Sequence, residues 1–578
     1  MAGVAAAWEL SRPGWEERFE SVTLYQRGWL LGGKGASTRS PDGRILEHGL
    51  HVWLGYYDNA FRLVRECYAE LDRARTDPTC PIRTWRDAFA PAPDVGVFEH
   101  DGGSVERWVA RFGTNDLVPG DPYPDPDLAG VVRRGAQLAA DLLRSSRANP
   151  RVRIDTAIDL VTTVLRGASA DGLMRPGSGG FASIDHLDFR AWLRAHGAKE
   201  STIDGGLVRG MYDLVFAYRD GDRAHPEFAA GLGVFLAVRM FLDYKGAIFW
   251  KMQAGMGDVV FAPLHQALER RGVEVQYFHR VDALRLSADG QALSSVELTR
   301  QAPVEVVAEY DPLELVGGLP CFPSRPRVER LEGHRPTEDD PLPSKGEPVS
   351  LVIGEDVDDV VLALSLGAVP RVAADLVSRH PRWRAMIDHV KTVPTRSAQL
   401  WLRDDEAALG WHDAGATLSG LDAPFDTCAS MTHLLAAEGW PADGPPRALA
   451  YLCSALPDEA PAVADATDAF LGEWSKVLWP AGTGPTALDD EGIVAHHTSA
   501  NTDPSDRYVQ SLPGSGGHRL RADGSGVDHL VLAGDWIDCG INAGCIEAAT
   551  VAGIQAAAAI EGRPLADRVL GPLTWDAA

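Results

Sequence analysis

The segment YQRGWLLGGKGAS, residues 25–37, sets Gly28, Gly32, Gly33 and Gly35 around Lys34, directly after a short strand-like run. Glycine lets backbone N–H groups approach an anion closely and lysine adds a point charge, so this spacing suits a pyrophosphate. An ordinary glycine turn is the alternative when the segment stands alone. Gln26 ends the run where dinucleotide folds hold an acidic residue on the ribose hydroxyls. Its amide can exchange hydrogen bonds with a diol, but the acidic fingerprint is absent. Far downstream, Gly534 and Asp535 end a second strand-like run, and Gly544 with Cys545 open a helix whose first turn offers free N–H groups to a ligand. Asp535 suits a ligand hydroxyl and the helix start suits negative charge. A strand–turn–helix crossover with a capping aspartate is the alternative there.

The elements that must position these groups are βαβ-like pieces. Gly3 to Leu10 reads as a small-residue helix, followed by a turn at Pro13 and Gly14 and a strand over Ser21–Gln26. A helix-then-strand pair spans 254–281, with helical spacing before Gly272 and alternation after it. The run DDVVLALSLGAVP (358–370) reads as a buried strand, and 529–557 as a strand, a glycine-bearing loop and a small-residue helix. Four such pieces, distant in sequence and alike in character, predict an α/β fold: a discontinuous Rossmann-like domain over 1–58, 252–300, 350–372 and 520–578. The remaining segments, 59–251, 301–349 and 373–519, are expected to form an α+β substrate domain. Its antiparallel sheet would include TRSAQLWL (395–402) and ALAYLCSAL (448–456), backed by helices from 59–251. The Pro-rich stretch 310–349 reads as a loop or extended insertion.

A chain of 578 residues, 45% hydrophobic and 24% charged, has ample material for a core of this size. The net charge of −26 repels phosphate backbones, so no nucleic-acid partner is expected. The seven cysteines contain no CxxC pair and no clustered histidines, so no metal site is predicted and the thiols read as reduced. No leader-like segment opens the chain, which predicts a cytoplasmic protein, with peripheral membrane contact left open. Phe228–Leu242, the most apolar stretch, is shorter than the ~20 residues of a membrane span and reads as a core helix. No GxSxG elbow, HExxH or P-loop lysine motif occurs.

YQRGWLLGGKGAS, GRILEHGLHVWLGYYDN (43–59), GMGDVVFAPL (255–264) and LAGDWIDCGINAGCIEAATVAG (532–553) together resemble the ordered signature of FAD-dependent amine oxidases and phytoene or zeta-carotene desaturases. The resemblance implies FAD as cofactor. It places Gly32 and Gly33 on the pyrophosphate, Val281 on the adenine through its backbone, and Gly534 with Asp535 on the ribityl chain. Gly544 and Cys545 would lie beside the pyrimidine end of the flavin. Lys34, Gly35, Gly49 and Asn542 fall inside the same motifs and are carried as cofactor-binding positions, beside Gln26.

The GLHVWLGYYDN run resembles a stretch of plant-type carotene desaturases and favours the desaturase side. It makes His51 the foremost catalytic candidate, a neutral imidazole that orients substrate or relays a proton after hydride loss. A core histidine is the alternative. Lys251 is the second candidate, as a lysine near flavin N5, with a solvated lysine as alternative. Trp53, Tyr56, Tyr57, Trp250 and Trp401 are expected in the core or along a substrate passage, with Trp250 and Trp401 singled out for the latter.

The expected reaction moves hydride from an apolar or amine-bearing C–H to flavin, with oxygen or a quinone as electron acceptor. The alternatives are a flavin amine oxidase and a redox-inactive nucleotide-binding or interaction protein. Gly3 reads as the third glycine of GxGxxG, whose first two glycines and strand would be encoded before Met1. That predicts a natural protein beginning upstream, and weak FAD binding by the chain as written.

Overall fold

A computed structural model describes residues 1–101, 104–122, 133–135, 154–175, 177–308, 310–327, 346–412, 416–482, 488, 492–564 and 568–571. The fold is α/β. Helix Ala2–Leu10 is built almost wholly of small residues and lies against the C-terminal helix Ile546–Glu561, which has the same character. The approach is close enough that a Cβ added at Gly553 would stand 2.3 Å from the Ala2 carbonyl oxygen, so glycine is required there. Two parallel strand pairs flank these helices, Thr23–Tyr25 with Glu274–Gln276 and Val360–Leu362 with Leu530–Leu532. No ladder joins the two pairs among the described residues. A three-stranded antiparallel sheet, His279–Leu286, Leu293–Arg300 and Glu347–Val352, completes this layer.

The second layer is a seven-stranded sheet. Its order is Ile493–Asn501, Thr395–Leu402, Ala448–Ala455, Thr427–Ser430, Thr417–Ser419, Asp94–Asp101, Ser104–Arg111. Both strands expected from the sequence, 395–402 and 448–456, lie inside it, second and third in the order, paired antiparallel. The sheet is mixed rather than antiparallel throughout, because Thr417–Ser419 runs parallel to Asp94–Asp101. Those last two strands come from a segment expected to supply helices.

Side chains alternate across a strand, so one face of this sheet carries Ala398, Leu400, Leu402, Leu418 and Leu452. They pack under helix Val463–Leu478 through Phe470, Leu471, Trp474 and Leu478. The opposite face points to the molecular interior. Between the layers lies a small sheet of Val52–Leu54, Phe249–Met252 and Phe89–Ala92.

One buried carboxylate ties the C-terminal helix to the N-terminal part of the chain. Glu547, in the first turn of Ile546–Glu561, accepts the backbone N–H groups of Asn59 and Ala60 at 2.9 and 2.8 Å and the Asn59 side-chain amide at 2.8 Å. These are otherwise unpaired donors at the start of helix Asp58–Leu71, so Glu547 satisfies one helix start from within another. Burial pushes its carboxyl up to about 7.

The Pro-rich stretch differs from expectation in part. Glu314–Val316 and Leu319–Cys321 form an antiparallel hairpin, and Cys321 is fully buried. Its turn is Gly317–Gly318, both at positive φ (57° and 83°), a two-residue hairpin signal that the surrounding prolines obscured. Residues 328–345 of this stretch lie outside the described residues, and Glu347 already belongs to a strand. The apolar stretch holds helix Ala230–Leu242, every residue of which is buried. Among the described residues, no helix is long and apolar enough to cross a membrane.

Candidate active site

A cavity of about 340 Å³ lies between the two layers. At one end it is bounded by the glycine segment 32–35, by Gly534 and Asp535, and by Gly544 to Ile546 at the start of the C-terminal helix. Gly32 and Gly33 adopt φ of 129° and 56°, conformations that other residues resist. A Cβ added at Gly33 meets nothing within 4 Å, so its backbone stands open to a ligand. Gly534 is equally constrained, with φ 156° and the Trp536 ring 2.3 Å from where its Cβ would be. The Lys34 ammonium donates to the Asp535 carboxylate at 2.7 Å, joining two segments 501 residues apart. Behind them Arg519, fully enclosed, donates to the Asp535 carbonyl at 2.9 Å, and burial lowers its pKa.

The middle of the cavity is built by a second set of contacts. Buried Arg39 pairs with buried Asp258 at 2.7 Å, and Asp258 also accepts the Gly255 N–H at 2.9 Å, which fixes the GMGD turn. That turn presents the Met256 N–H to Glu47 Oε1 at 3.2 Å, while the Glu47 N–H donates to Gln399 Oε1 at 2.9 Å. Glu47 is thereby immobilised, and its other oxygen holds His51 Nδ1 at 2.5 Å. His51 and its neighbours His48, Gly49 and Leu50 border the cavity. An i to i+4 carboxylate–imidazole pair of this kind selects the ring tautomer and leaves Nε2 for proton exchange.

The remaining walls are largely apolar, with Val95, Val97, Leu207, Met211, Leu214, Phe216, Met240, Phe241, Ile248 and Phe249. Phe261, Tyr57 and Tyr508 stand beside the glycine end, and Trp53 lies on the cavity wall. Tyr508 stacks edge-on to Phe216 at 4.9 Å and sits so close to Gly544 that a Cβ there would be 2.5 Å from its ring. Burial raises the pKa of both tyrosines, so their hydroxyls stay protonated.

Several residues singled out from the sequence lie elsewhere. Lys251 is not on the cavity wall and is not solvated. It is 4% exposed, its ammonium donates to the Ser430 carbonyl at 2.5 Å, and burial lowers its pKa to about 8. Lys251 pairs with Val52 on a central strand, and its long side chain reaches the seven-stranded sheet at Ser430. Trp250 and Trp401 do not line the cavity either. The Trp250 indole donates to the Lys245 carbonyl at 3.0 Å, and Trp401, wholly buried, donates to Glu438 at 2.8 Å. Tyr56 is buried beside Tyr57.

Gly3, Gln26, Val281 and Asn542 also fall outside the lining. Gly3 packs against Ala363, and the Gln26 side chain donates to the Arg27 carbonyl. Val281 lies at a bulge in the three-stranded sheet. Asn542, at φ 57°, accepts from the Cys539 N–H and donates to Asp538, which shapes the loop before Gly544. Sequence reasoning passed over Glu47, Asp213 and Tyr508. Glu47 was legible, since it precedes His51 by four residues. Nothing local marked Tyr508.

Residues 1–308, more than half of the chain, match the family model described as "Flavin containing amine oxidoreductase". The chain belongs to that family. The zeta-carotene desaturase of Synechocystis sp. is 23% identical over 294 residues, half of each chain. The chloroplastic/chromoplastic zeta-carotene desaturase of Arabidopsis thaliana is 24% identical over 294 residues, 50% of this chain and 44% of that one. The chain spans about half the length of these curated relatives. Cyclohexylamine oxidase from Brevibacterium oxydans shares the fold, with a TM-score of 0.53 and 12% identity over 96% of each chain.

FAD is the cofactor of this family, and the residues present fit it. Open glycine backbone and the Lys34 ammonium suit the diphosphate, Asp535 suits hydroxyls of the linking chain, and the start of helix Ile546–Glu561 suits the electron-rich edge of the ring.

Proposed function

We propose that the protein is an FAD-dependent oxidoreductase that introduces a double bond into a largely apolar small molecule, in the manner of a desaturase. The observation that carries this reading is the Glu47–His51 pair on the wall of a mostly apolar cavity whose far end is glycine-lined. The curated carotene desaturases among its relatives support it. FAD, when bound, supplies a two-electron hydride acceptor.

The chain's residues do the rest. Apolar walls from helices Gly206–Leu214 and Ala230–Leu242 exclude water and hold the hydrocarbon body. Two neighbouring C–H bonds break and a C=C bond forms; one hydrogen leaves as hydride and the other as a proton. Glu47 orients His51 through Nδ1, and the neutral imidazole takes that proton at Nε2. The electron acceptor that completes the cycle is oxygen or a quinone. A second reading, oxidation of an amine to an imine, is favoured by the carboxylate of Asp213 on the same cavity wall.

The test is a visible spectrum of the purified protein, followed by anaerobic addition of polyenes and amines in turn. Bound oxidised flavin that bleaches with a polyene, with the C=C product identified, supports the desaturase reading; bleaching by amines alone transfers it to the second. Bound flavin that no member of the panel reduces would refute both.

A further inference from the structure

The cavity's floor is the inner face of the seven-stranded sheet, and its side chains are not those of a hydrocarbon pocket. Strand registers set Ser419 opposite Thr427, Thr427 opposite Cys453 and Cys453 opposite Ser397, a row of small side chains across four consecutive strands, three of them bearing hydroxyls. Ser419, Thr427 and Cys453 border the cavity. One residue over, the outer face of the same strands carries Leu418, Cys428, Leu452 and Ala398 in register, as a face packed against a helix should. The outer face also holds a polar pair, Arg396 and Ser454, but these bond to each other at 2.8 Å.

Ser397 is the unresolved member of the row. It is 4% exposed, and its hydroxyl has no hydrogen-bond partner among the described residues. An unpaired buried hydroxyl is destabilising, a cost the sheet avoids at the neighbouring outer positions, where Ala398 and Leu452 are apolar and Arg396 and Ser454 bond to each other. Asp213, 1% exposed, reaches the same cavity from helix Gly206–Leu214, held by the Tyr218 hydroxyl, by the Gly420 N–H at 3.0 Å and by the Arg223 guanidinium at 3.8 Å.

We propose that this row, with Asp213, is a subsite for the hydrogen-bonding head group of an otherwise apolar substrate, a hydroxyl or an amine, with the reacting carbons held toward His51. The substrate is then amphipathic rather than a bare hydrocarbon. The inference rests on the cavity being the substrate site of the proposed reaction.

The experiment is calorimetric titration of the flavin-loaded full chain with toluene, benzyl alcohol and benzylamine, which share a shape and differ in the head. A purely apolar pocket prefers toluene, because dehydrating a hydroxyl or an ammonium without a partner is unfavourable. The subsite reverses that order, with benzyl alcohol or benzylamine bound about tenfold more tightly than toluene, the equivalent of one or two net hydrogen bonds.

In a variant carrying Ser397→Ala, Ser419→Ala and Thr427→Val, with folding checked by circular dichroism, the preference falls to about twofold or less. Asp213→Asn separates the two heads: a loss for benzylamine alone assigns an ammonium, and an equal loss for both assigns a hydroxyl. Toluene binding as tightly as the polar probes in the unaltered protein would overturn the proposal, a result that does not depend on any variant folding. So would a folded triple variant that keeps the original preference. Calorimetry needs no turnover, so a protein that binds the polar probes without bleaching its flavin refutes the redox reading and leaves the subsite standing.

Discussion

Glu547 makes stability depend on pH in an unusual direction. Its carboxyl is raised from 4.5 to about 7 by burial, so between these values the folded protein keeps a proton that the unfolded chain has released. Stability therefore falls as pH rises through this window, being greatest below 4.5 and fully reduced above 7 as far as this group is concerned. At about 1.4 kcal/mol per unit, a shift of this size corresponds to about 3 kcal/mol, already net of the N–H groups of Asn59 and Ala60, which favour the charged form. Glu547→Gln removes the titration while keeping one acceptor oxygen for Asn59; it forfeits the bond from Ala60, which costs about 1 kcal/mol. The difference between the two proteins should then change with pH, the glutamine form losing at pH 5 and recovering or leading at pH 8. Urea unfolding of both at pH 5, 6, 7 and 8 measures it. Parallel stability curves across this range would refute the reasoning, since the carboxyl would then titrate alike in the folded and unfolded chain.

Lys34→Met removes the cation joined to Asp535, and flavin affinity should fall about tenfold to a hundredfold in equilibrium dialysis, the worth of one charge-assisted bond. Gly544→Ala places a methyl group against the Tyr508 ring and should impair both flavin retention and substrate bleaching, whereas Tyr508→Phe keeps the ring and should leave flavin retention intact, as read from the visible spectrum. Trp401→Ala should lower unfolding stability by about 3–5 kcal/mol while the spectrum of bound flavin is unchanged, because the ring fills the core away from the cavity.

The parts of the site that could be read from the sequence are those whose chemistry is local. Glycine at Gly32, Gly33 and Gly534 marks backbone geometry that most other residues resist, and such a preference is visible in the letter itself. The small-residue helices at 2–10 and 546–561 were equally legible, since close packing demands small side chains over several turns. What depended on strand register was hidden. Neither Lys251 nor Trp250 lines the cavity, and this was hidden because the partner strands of 249–252 could not be deduced. The parity of TRSAQLWL already separated Thr395, Ser397 and Gln399 from Ala398, Leu400 and Leu402, but the face that meets the cavity follows only from the complete sheet. Tyr508 reaches the site through a fold-back of the chain that no neighbouring residue announces.

The Lys34–Asp535 contact has a consequence for how the protein is made. At a synthesis rate of roughly 5–20 residues per second, the lysine emerges about 25–100 s before its partner, which lies 501 positions later. For that interval the first glycine segment has no opposing wall, and the nascent chain cannot close around its nucleotide. Cofactor capture is thereby placed after synthesis of the segment that carries Asp535.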